Sequence, residues 1–403
     1  MSLKSMLTER ALVVLGLNSG TSADGLDMAA VRISRPKRGV AIKYLAGCAK
    51  PYPVELHDLI LKVADSSKID LDMVIYLDSL LGQFFGRAAS AYIKRLAKNN
   101  IRVDVIASHG QTVRHLPNEV QFGRFSVNGT MQLGSPDHIA AATGKMVVAD
   151  FRQADIAAGN EGAPITAAAM QRLFATPANS RLIVNIGGMA NYFYFPAEKS
   201  SLGPSAADCG PGNSLSDILS ERLYGERFDR RGVRASRGKA SQRLLTLLLA
   251  NPFFSGNTVS SGREDFGGYM AQEMLNFGQQ FDMAGEDMLA TAVELSVTAI
   301  AMKIQPLLHR DGNLLKLYLT GGGRKNNFLV NRLRQQLPEI EIHRADELGI
   351  NGDFIEATAY AVMGEACLRS EPLIVPGESR KGPASVALPV LGRIIQPPVN
   401  RKR

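Results

Sequence analysis

Tryptophan is absent from the 403 residues, and there are only three cysteines and six histidines. Cys48, Cys209 and Cys367 are odd in number, far apart and fit no CxxC spacing. That pattern excludes a disulfide scaffold and leaves buried thiols as the expectation. No Asp, Glu, His or Cys cluster has transition-metal spacing, which argues against a zinc site. No apolar run approaches the ~20 residues needed to cross a bilayer. The first such run, residues 11–17, follows Glu9 and Arg10 and is too short for the apolar region of a signal peptide. It reads as a buried strand, with the cytoplasm as the expected location and no membrane partner. Aromatic stacking residues are scarce where positive charge is densest. Residues 227–239 hold Arg230, Arg231, Arg234, Arg237 and Lys239 but only Phe228 to stack a base. The formal net charge of +8 suits a nucleic-acid binder and an enzyme with anionic substrates equally, the segment reads as a solvated loop or an anion-attracting rim, and no nucleic-acid partner is expected.

What is present is a globular composition, 45% hydrophobic and 21% charged, in a chain long enough for two domains of roughly 200 residues each. Residues 11–17 and 26–33 read as strands joined by a Gly/Ser/Thr/Asp turn, and a third strand covers 40–48. From Asp72 to Leu96 apolar residues recur at three- and four-residue intervals, as in a long amphipathic helix. A short buried strand at 103–107 ends in Ser108-His-Gly-Gln-Thr112. The outline then recurs: strands at 181–186 and 190–195 around Gly187-Gly188, helices at 213–224 and 286–308, a strand at 314–320 and a helix at 327–336. Such a recurrence predicts an α/β fold with two architecturally repeated lobes. The first lobe is expected over residues 1–150 with about 371–403 returning to it, and the second over 151–370.

Three glycine turns carry the chemistry. Polyphosphate is held best by close backbone N–H donors, which glycine permits. In the first turn Gly20, Ala23, Gly25 and Leu26 supply backbone, and Ser19, Thr21 and Ser22 supply hydroxyls. Asp24 or Asp27 is placed to hold Mg²⁺ there. The segment is neither GxxxxGK[ST] nor GxGxxG. Gly187 and Gly188 form the second turn. Gly321, Gly322 and Gly323 form the third, between a strand and a helix. Each alone is also an ordinary turn. Together, in this order, they resemble the phosphate-1, phosphate-2 and adenosine elements of the actin–hexokinase–heat-shock ATPase superfamily, which implies two ribonuclease H-like lobes around a central nucleotide cleft.

Phosphoryl transfer to a hydroxyl needs positioning, a metal and a carboxylate to take a proton. Asp208, expected on a stiff Gly/Pro turn just before a helix, is the leading acid, with Asp150 and Asp155 as rivals that could instead partner Arg152. His109 and His115 are either structural or contacts for sugar hydroxyls, and Glu161 and Glu356 are candidates to face substrate.

These motifs resemble the anhydro-N-acetylmuramic acid kinases. The resemblance rests on Gly20-Thr-Ser-Ala-Asp-Gly-Leu-Asp27, Ser108-His-Gly-Gln-Thr-Val-Arg-His115, Val148-Ala-Asp-Phe-Arg152, Asn185-Ile-Gly-Gly188, Asp208-Cys-Gly-Pro-Gly-Asn213, Ser261-Gly-Arg-Glu264, Gly321-Gly-Gly323 and Glu356-Ala357. It implies ATP and Mg²⁺ as cofactors and an amino sugar as substrate. The implied reaction phosphorylates O6 of 1,6-anhydro-N-acetylmuramic acid while water opens the anhydro ring. Asp208 would activate that water. His109, Gln111, Thr112, Arg114, Arg152, Asn185 and Glu356 would bind the sugar, and a homodimer is the family-based expectation. Three positions depart from the family's pattern: Asn18, Glu161 and Arg231. A kinase of another amino sugar and an actin-like or chaperone-like ATPase switch are the competing readings.

Overall fold

A computed structural model describes residues 11–20, 23–37, 39–66, 68–255, 266–311, 315–373 and 388–399. The chain divides into two compact units, one running to Leu173 and resuming at Gly349, the other spanning Phe174–Leu348. The expected boundaries at 150 and 371 are both displaced. The segment before Leu173 belongs to the first unit, and so does the helix Ile355–Leu368, which packs chiefly on the strands Ala11–Ser19, Gly25–Ser34 and Val105–Phe122.

In the first unit β1 (Ala11–Ser19), β2 (Gly25–Ser34) and β3 (Ala41–Pro51) form an antiparallel meander. β4 (Val105–Phe122) and β6 (Met146–Ala149) extend the sheet in parallel, and β12 (Arg393–Ile395) closes it antiparallel to β6. β1 is buried at every position after Ala11, the near-continuous apolar run of a strand covered on both faces. The helix Leu71–Lys98 buries Leu77, Leu81, Phe85, Ala89, Tyr92 and Leu96 along one stripe, and Asp70 caps it by accepting from Asp72 N at 3.0 Å.

The second unit repeats the plan. β7 (Ser180–Ile186), β8 (Met189–Phe195) and β9 (Ser205–Pro211) form an antiparallel meander, with β10 (Leu315–Thr320) and β11 (Ile342–Arg344) added in parallel. The order β9-β8-β7-β10-β11 matches β3-β2-β1-β4-β6 strand for strand. The ribonuclease H-like α/β lobe expected from the sequence is therefore present twice. The helix Gly285–Asp311 outlasts its expected end, carrying Pro306 inside, and is buried on most of its circumference. Cys209 and Cys367 are buried as expected, whereas Cys48 on β3 is half-exposed. No described helix is long and apolar enough to cross a membrane.

The largest departure from the sequence reading is β4. It runs on through Ser108–Thr112 and turns back as β5 (Phe125–Leu133). Beyond Val113 the strand leaves the core and burial fades, and Pro117 falls in an irregularity between Leu116 and Val120.

Backbone contact fixes how the first unit's sheet is covered. A Cβ on Gly16 of β1 would lie 1.8 Å from the carbonyl oxygen of Ala357, and one on Gly364 would lie 2.6 Å from Ala107 Cβ. Gly16→Ala is expected to lower unfolding stability by at least ~2 kcal/mol, because overpacking against main chain has no flexible side chain to absorb it. An unchanged urea midpoint would show that the helix is not seated there.

Candidate functional site

In the second unit one polar row crosses four strands. Thr320 pairs with Asn185, Asn185 with Asn191, and Asn191 with Asp208. Directly paired residues share a sheet face. Thr320 Oγ1 donates to Asn185 Oδ1 at 3.1 Å, and the buried Asn191 Oδ1 has no hydrogen-bond partner. Asp208 lies within β9 rather than on a turn. The strand continues through Gly210 and Pro211, and the helix Ser214–Tyr224 starts only afterwards. Its half-buried carboxylate takes the face opposite Cys209, whose thiol is fully buried and pushed upward in pKa first by desolvation and then by Asp208.

The second and third turns converge beside this row. The carbonyl of Gly187 accepts from Asn213 N at 2.8 Å, and that of Gly188 accepts from Gly212 N at 2.9 Å and Ser214 N at 3.0 Å. The helix start at Ser214 is thus tied to the turn rather than left open for an anion. Gly321, at φ +74°, and Gly323 pack on Ile186, where a Cβ would fall 2.6 Å from its carbonyl oxygen and 2.3 Å from its side chain respectively. Above Gly188 a Cβ would meet nothing within 4 Å, and above Gly322 nothing closer than Asn213 Nδ2 at 3.9 Å. Those two positions leave room over bare backbone.

In the first unit a buried cluster forms around β1 and β4. Asn18 Nδ2 donates to Glu356 Oε2 at 2.7 Å, and burial raises the Glu356 carboxyl above its usual range despite that bond and the nearby Arg152. Arg152 Nε donates to His109 Nε2 at 3.1 Å, and its Nη1 reaches the carbonyl of Gly162 at 2.9 Å. A ring nitrogen that accepts from arginine is unprotonated, so His109 carries its single proton on Nδ1. Desolvation and then Arg152 hold its pKa well below 6.5. Tyr360 stacks on His109 with centroids 4.6 Å apart. Asp155 holds the following loop, accepting from Asn160 Nδ2 at 3.0 Å and Gly162 N at 2.9 Å. Ser108 Oγ, His115 Nδ1 and Asn160 Oδ1 are buried without a hydrogen-bond partner.

The expected site residues are thus sorted. His109, Arg152 and Glu356 belong to this cluster. Gln111 is engaged with Ser19, Gly20 and Thr112, and Thr112 Oγ1 accepts from Gln132. Arg114 reaches away to the carbonyl of Ser66. Asn185 lies in the second unit. Asp150 lies 3.0 Å from Arg393, and Asp155 is occupied by its loop. In the first turn Ala23 and Leu26 are buried, Asp24 is exposed and Asp27 sits opposite Asn18. Thr21, Ser22 and Ser261–Glu264 lie outside the described residues. Among the described residues no group of three or more His, Cys, Asp or Glu is arranged to hold a metal. Sequence reasoning did not single out Tyr360, Asn191 or Thr320. Asn18 stood out only as a departure from a motif.

Each of the two repeated α/β units presents glycine-turn backbone beside buried polar side chains, an arrangement suited to a phosphotransferase. The family profile for anhydro-N-acetylmuramic acid kinase matches residues 12–396. Proteins of that name from Caldanaerobacter subterraneus, Shewanella halifaxensis and Coxiella burnetii are 32%, 34% and 34% identical, over 87%, 86% and 90% of this chain and 89%, 89% and 92% of theirs. The chain belongs to the anhydro-N-acetylmuramic acid kinase family. Among solved structures it is similar to the activator of 2-hydroxyisocaproyl-CoA dehydratase from Clostridium difficile (12% identity, TM-score 0.41, covering 89% of this chain and 96% of that one). It is also similar to a ROK hexokinase from Thermus thermophilus (13% identity, TM-score 0.31, covering 89% and 100%). Likeness at that level carries no functional weight.

Both histidines of the β4 motif titrate below 6.5 when folded, His115 at about 4 because of burial and Arg152, with Glu161 opposing. The unfolded chain therefore binds more protons once pH falls below about 6.5. Stability is complete above that value and is lost on descending toward 4. The thermal midpoint is expected to drop between pH 7 and pH 5, with a shallower slope in His115→Gln. An equal slope in that variant would show that His115 is not held neutral.

Proposed function

We propose that the protein phosphorylates O6 of 1,6-anhydro-N-acetylmuramic acid with ATP while adding water across the anhydro bond, giving N-acetylmuramic acid 6-phosphate in cytoplasmic peptidoglycan recycling. The observation that carries this reading is Asp208, a half-buried carboxylate ending the Thr320–Asn185–Asn191 row on the face opposite the core. Water attacks C1, its proton passes to Asp208, the C1–O6 bond breaks, and O6 takes the γ-phosphoryl group as ADP leaves.

The residues fit a nucleotide. Backbone at Gly20, Gly25, Gly187, Gly188 and Gly321–Gly323 is suited to phosphate and ribose, and the open space above Gly188 and Gly322 admits them. Mg²⁺, which needs only one or two carboxylates beside phosphate oxygens, would be held by Asp24 or Asp27 and would neutralise the transferring charge. For the sugar, Arg152 offers a cation to the lactyl carboxylate and His109 Nδ1–H a neutral donor. Glu356, steadied by Asn18, accepts from a hydroxyl. Asn185 and Thr112 complete the proposed contacts, while Arg114, bonded to the carbonyl of Ser66, is left out of them.

A homodimer is supported by the β4–β5 hairpin. One of its faces bears Asn128, Thr130 and Gln132, which bond within the unit. The other bears Leu116, Val120, Phe122, Phe125, Val127 and Met131, all 45–64% exposed. Leu71, Ile75, Tyr76 and Leu80 add an exposed stripe at the start of the helix Leu71–Lys98. Together they leave on the order of 1,000 Å² of apolar surface, above the few hundred of an ordinary monomer patch and near the ~800 Å² each partner brings to a standard interface. Exposed Arg124 at the hairpin and exposed Asp70 and Asp72 at the helix give the patch opposite charges, so a second copy related by a two-fold axis meets it with complementary sign.

Two measurements test these readings. Product mass is expected to show gain of both phosphate and water, and Asp208→Asn to cut turnover by at least ~10³-fold while sparing ATP binding. Equal ATP hydrolysis with and without sugar would overturn the kinase. Sedimentation is expected to give a dimer that Phe122→Asp/Phe125→Asp converts to a folded monomer. A monomeric wild type, or one that binds neutral lipid vesicles instead, would overturn the dimer.

A further inference from the structure

Tyr52 stands just beyond β3, outside every motif noted above, yet its hydroxyl ends in the interior beneath the first glycine turn. Tyr52 Oη and Ser19 Oγ are 2.7 Å apart. Ser19 Oγ also contacts Gln111 Oε1, and Gln111 Nε2 lies 3.2 Å from the carbonyl oxygens of both Gly20 and Thr112. Tyr52, Ser19 and Gln111 are 8%, 2% and 1% exposed.

The direction of every bond in this chain can be deduced. Two carbonyls face one end of the Gln111 amide, so that end must be the NH₂ and the other the oxygen. Ser19 Oγ has two acceptors in reach, Gln111 Oε1 and the carbonyl of Gly25 at 3.2 Å, and the closer contact to Gln111 takes its one proton, which leaves Ser19 Oγ to accept from Tyr52. Burial raises the phenol's pKa, so Tyr52 keeps the proton it donates. The relay runs Tyr52 to Ser19 to Gln111 to the carbonyl of Gly20. The same tyrosine holds the turn's far side, since its backbone N–H donates to the carbonyl of Asp24 at 3.1 Å. Both ends of the turn are fastened to one residue, and the fastening sits at the register shift where β1 meets β4.

We propose that Tyr52 is a positioning residue for the nucleotide: through Ser19 and Gln111 it holds the carbonyl of Gly20, and through its own N–H that of Asp24, on either side of the first glycine turn, and Gln111 serves that turn rather than the sugar. The inference rests on the ATP reading of that turn. Peptides held in advance bind polyphosphate without first being ordered, so releasing them weakens nucleotide binding. Tyr52→Phe keeps the ring and removes the first donor. Gln111→Glu keeps the acceptor for Ser19 but places a carboxylate oxygen against the two carbonyls.

Steady-state kinetics with each substrate varied, together with calorimetric titration of Mg·ATP, separate the outcomes. Tyr52→Phe is expected to raise the ATP KM and Kd about 5-fold, and Gln111→Glu about 20-fold or more, with the sugar KM within twofold of wild type. The double variant is expected to be little worse than Gln111→Glu alone, since both act on one chain. A rise in sugar KM with ATP binding unchanged would overturn the proposal by making Gln111 a sugar ligand. A lowered melting temperature with neither KM altered would overturn it by reducing Tyr52 to packing. Calorimetry reads the nucleotide without turnover, so wild type that binds ATP but fails to phosphorylate the sugar condemns the reaction and leaves this test standing.

Discussion

The first unit depends on a contact between two backbones. Gly16 lets the main chain of Ala357 lie directly on β1, and Gly364 accepts Ala107 two turns further along the same helix. With side chains at those points the helix would ride higher, and Glu356 and Tyr360 would rise with it. The bond to Asn18 and the stack on His109 both span short distances, 2.7 Å and 4.6 Å. Close approach is therefore what makes one cluster from residues on β1, β4 and a helix some 250 positions later. Arg152 joins from the segment between, held by both His109 and Gly162.

The second unit solves the equivalent problem differently. Its hairpin is fixed by hydrogen bonds from the peptides at Gly212–Ser214 and by glycines at 321 and 323 closing on Ile186. Three stretches far apart in sequence are thus gathered around one residue pair, Ile186 and Asn213. The repeat between units extends to detail. Asn18 in β1 and Asn185 in β7 each stand two residues before a turn glycine, and each faces a polar residue, Asp27 or Asn191, on the returning strand.

Much of this was legible in the sequence because it follows local rules. The buried strands β1, β7 and β10 carry short apolar runs at Leu12–Leu15, Leu182–Val184 and Leu317–Leu319, and the helix Leu71–Lys98 shows its period openly. Glycine turns announced the hairpins. What escaped notice depends on tertiary neighbours. Asp208 sits next to Gly and Pro, which read as a turn, yet pairing with β8 draws that segment into a strand. β5 does alternate, with Phe125, Val127 and Met131 between polar residues, but that apolar face lies exposed rather than in the core, and sequence reasoning did not single the strand out. Tyr360 hides among the small and apolar residues of a wholly buried helix, and nothing in its spacing distinguishes it from core. The unit boundaries were missed for a related reason: a helix is assigned by what it packs on, and Ile355–Leu368 packs on strands hundreds of residues earlier.

The hairpin of β4 and β5 has one further consequence. Alternate residues along it serve different neighbours, with Asn128, Thr130 and Gln132 bonding inward while Val127 and Met131 lie outside. The two irregularities, at Thr112/Arg114 and Leu116/Val120, decide which residue falls on which side. They work as parity marks. Loss or gain of a single residue in this arm would turn every later side chain over, delivering valine and methionine to the loop at Asn160 and amides to the outside. Length in this arm is thus a tighter constraint than composition, and substitutions within a face are tolerable where a one-residue slip is not.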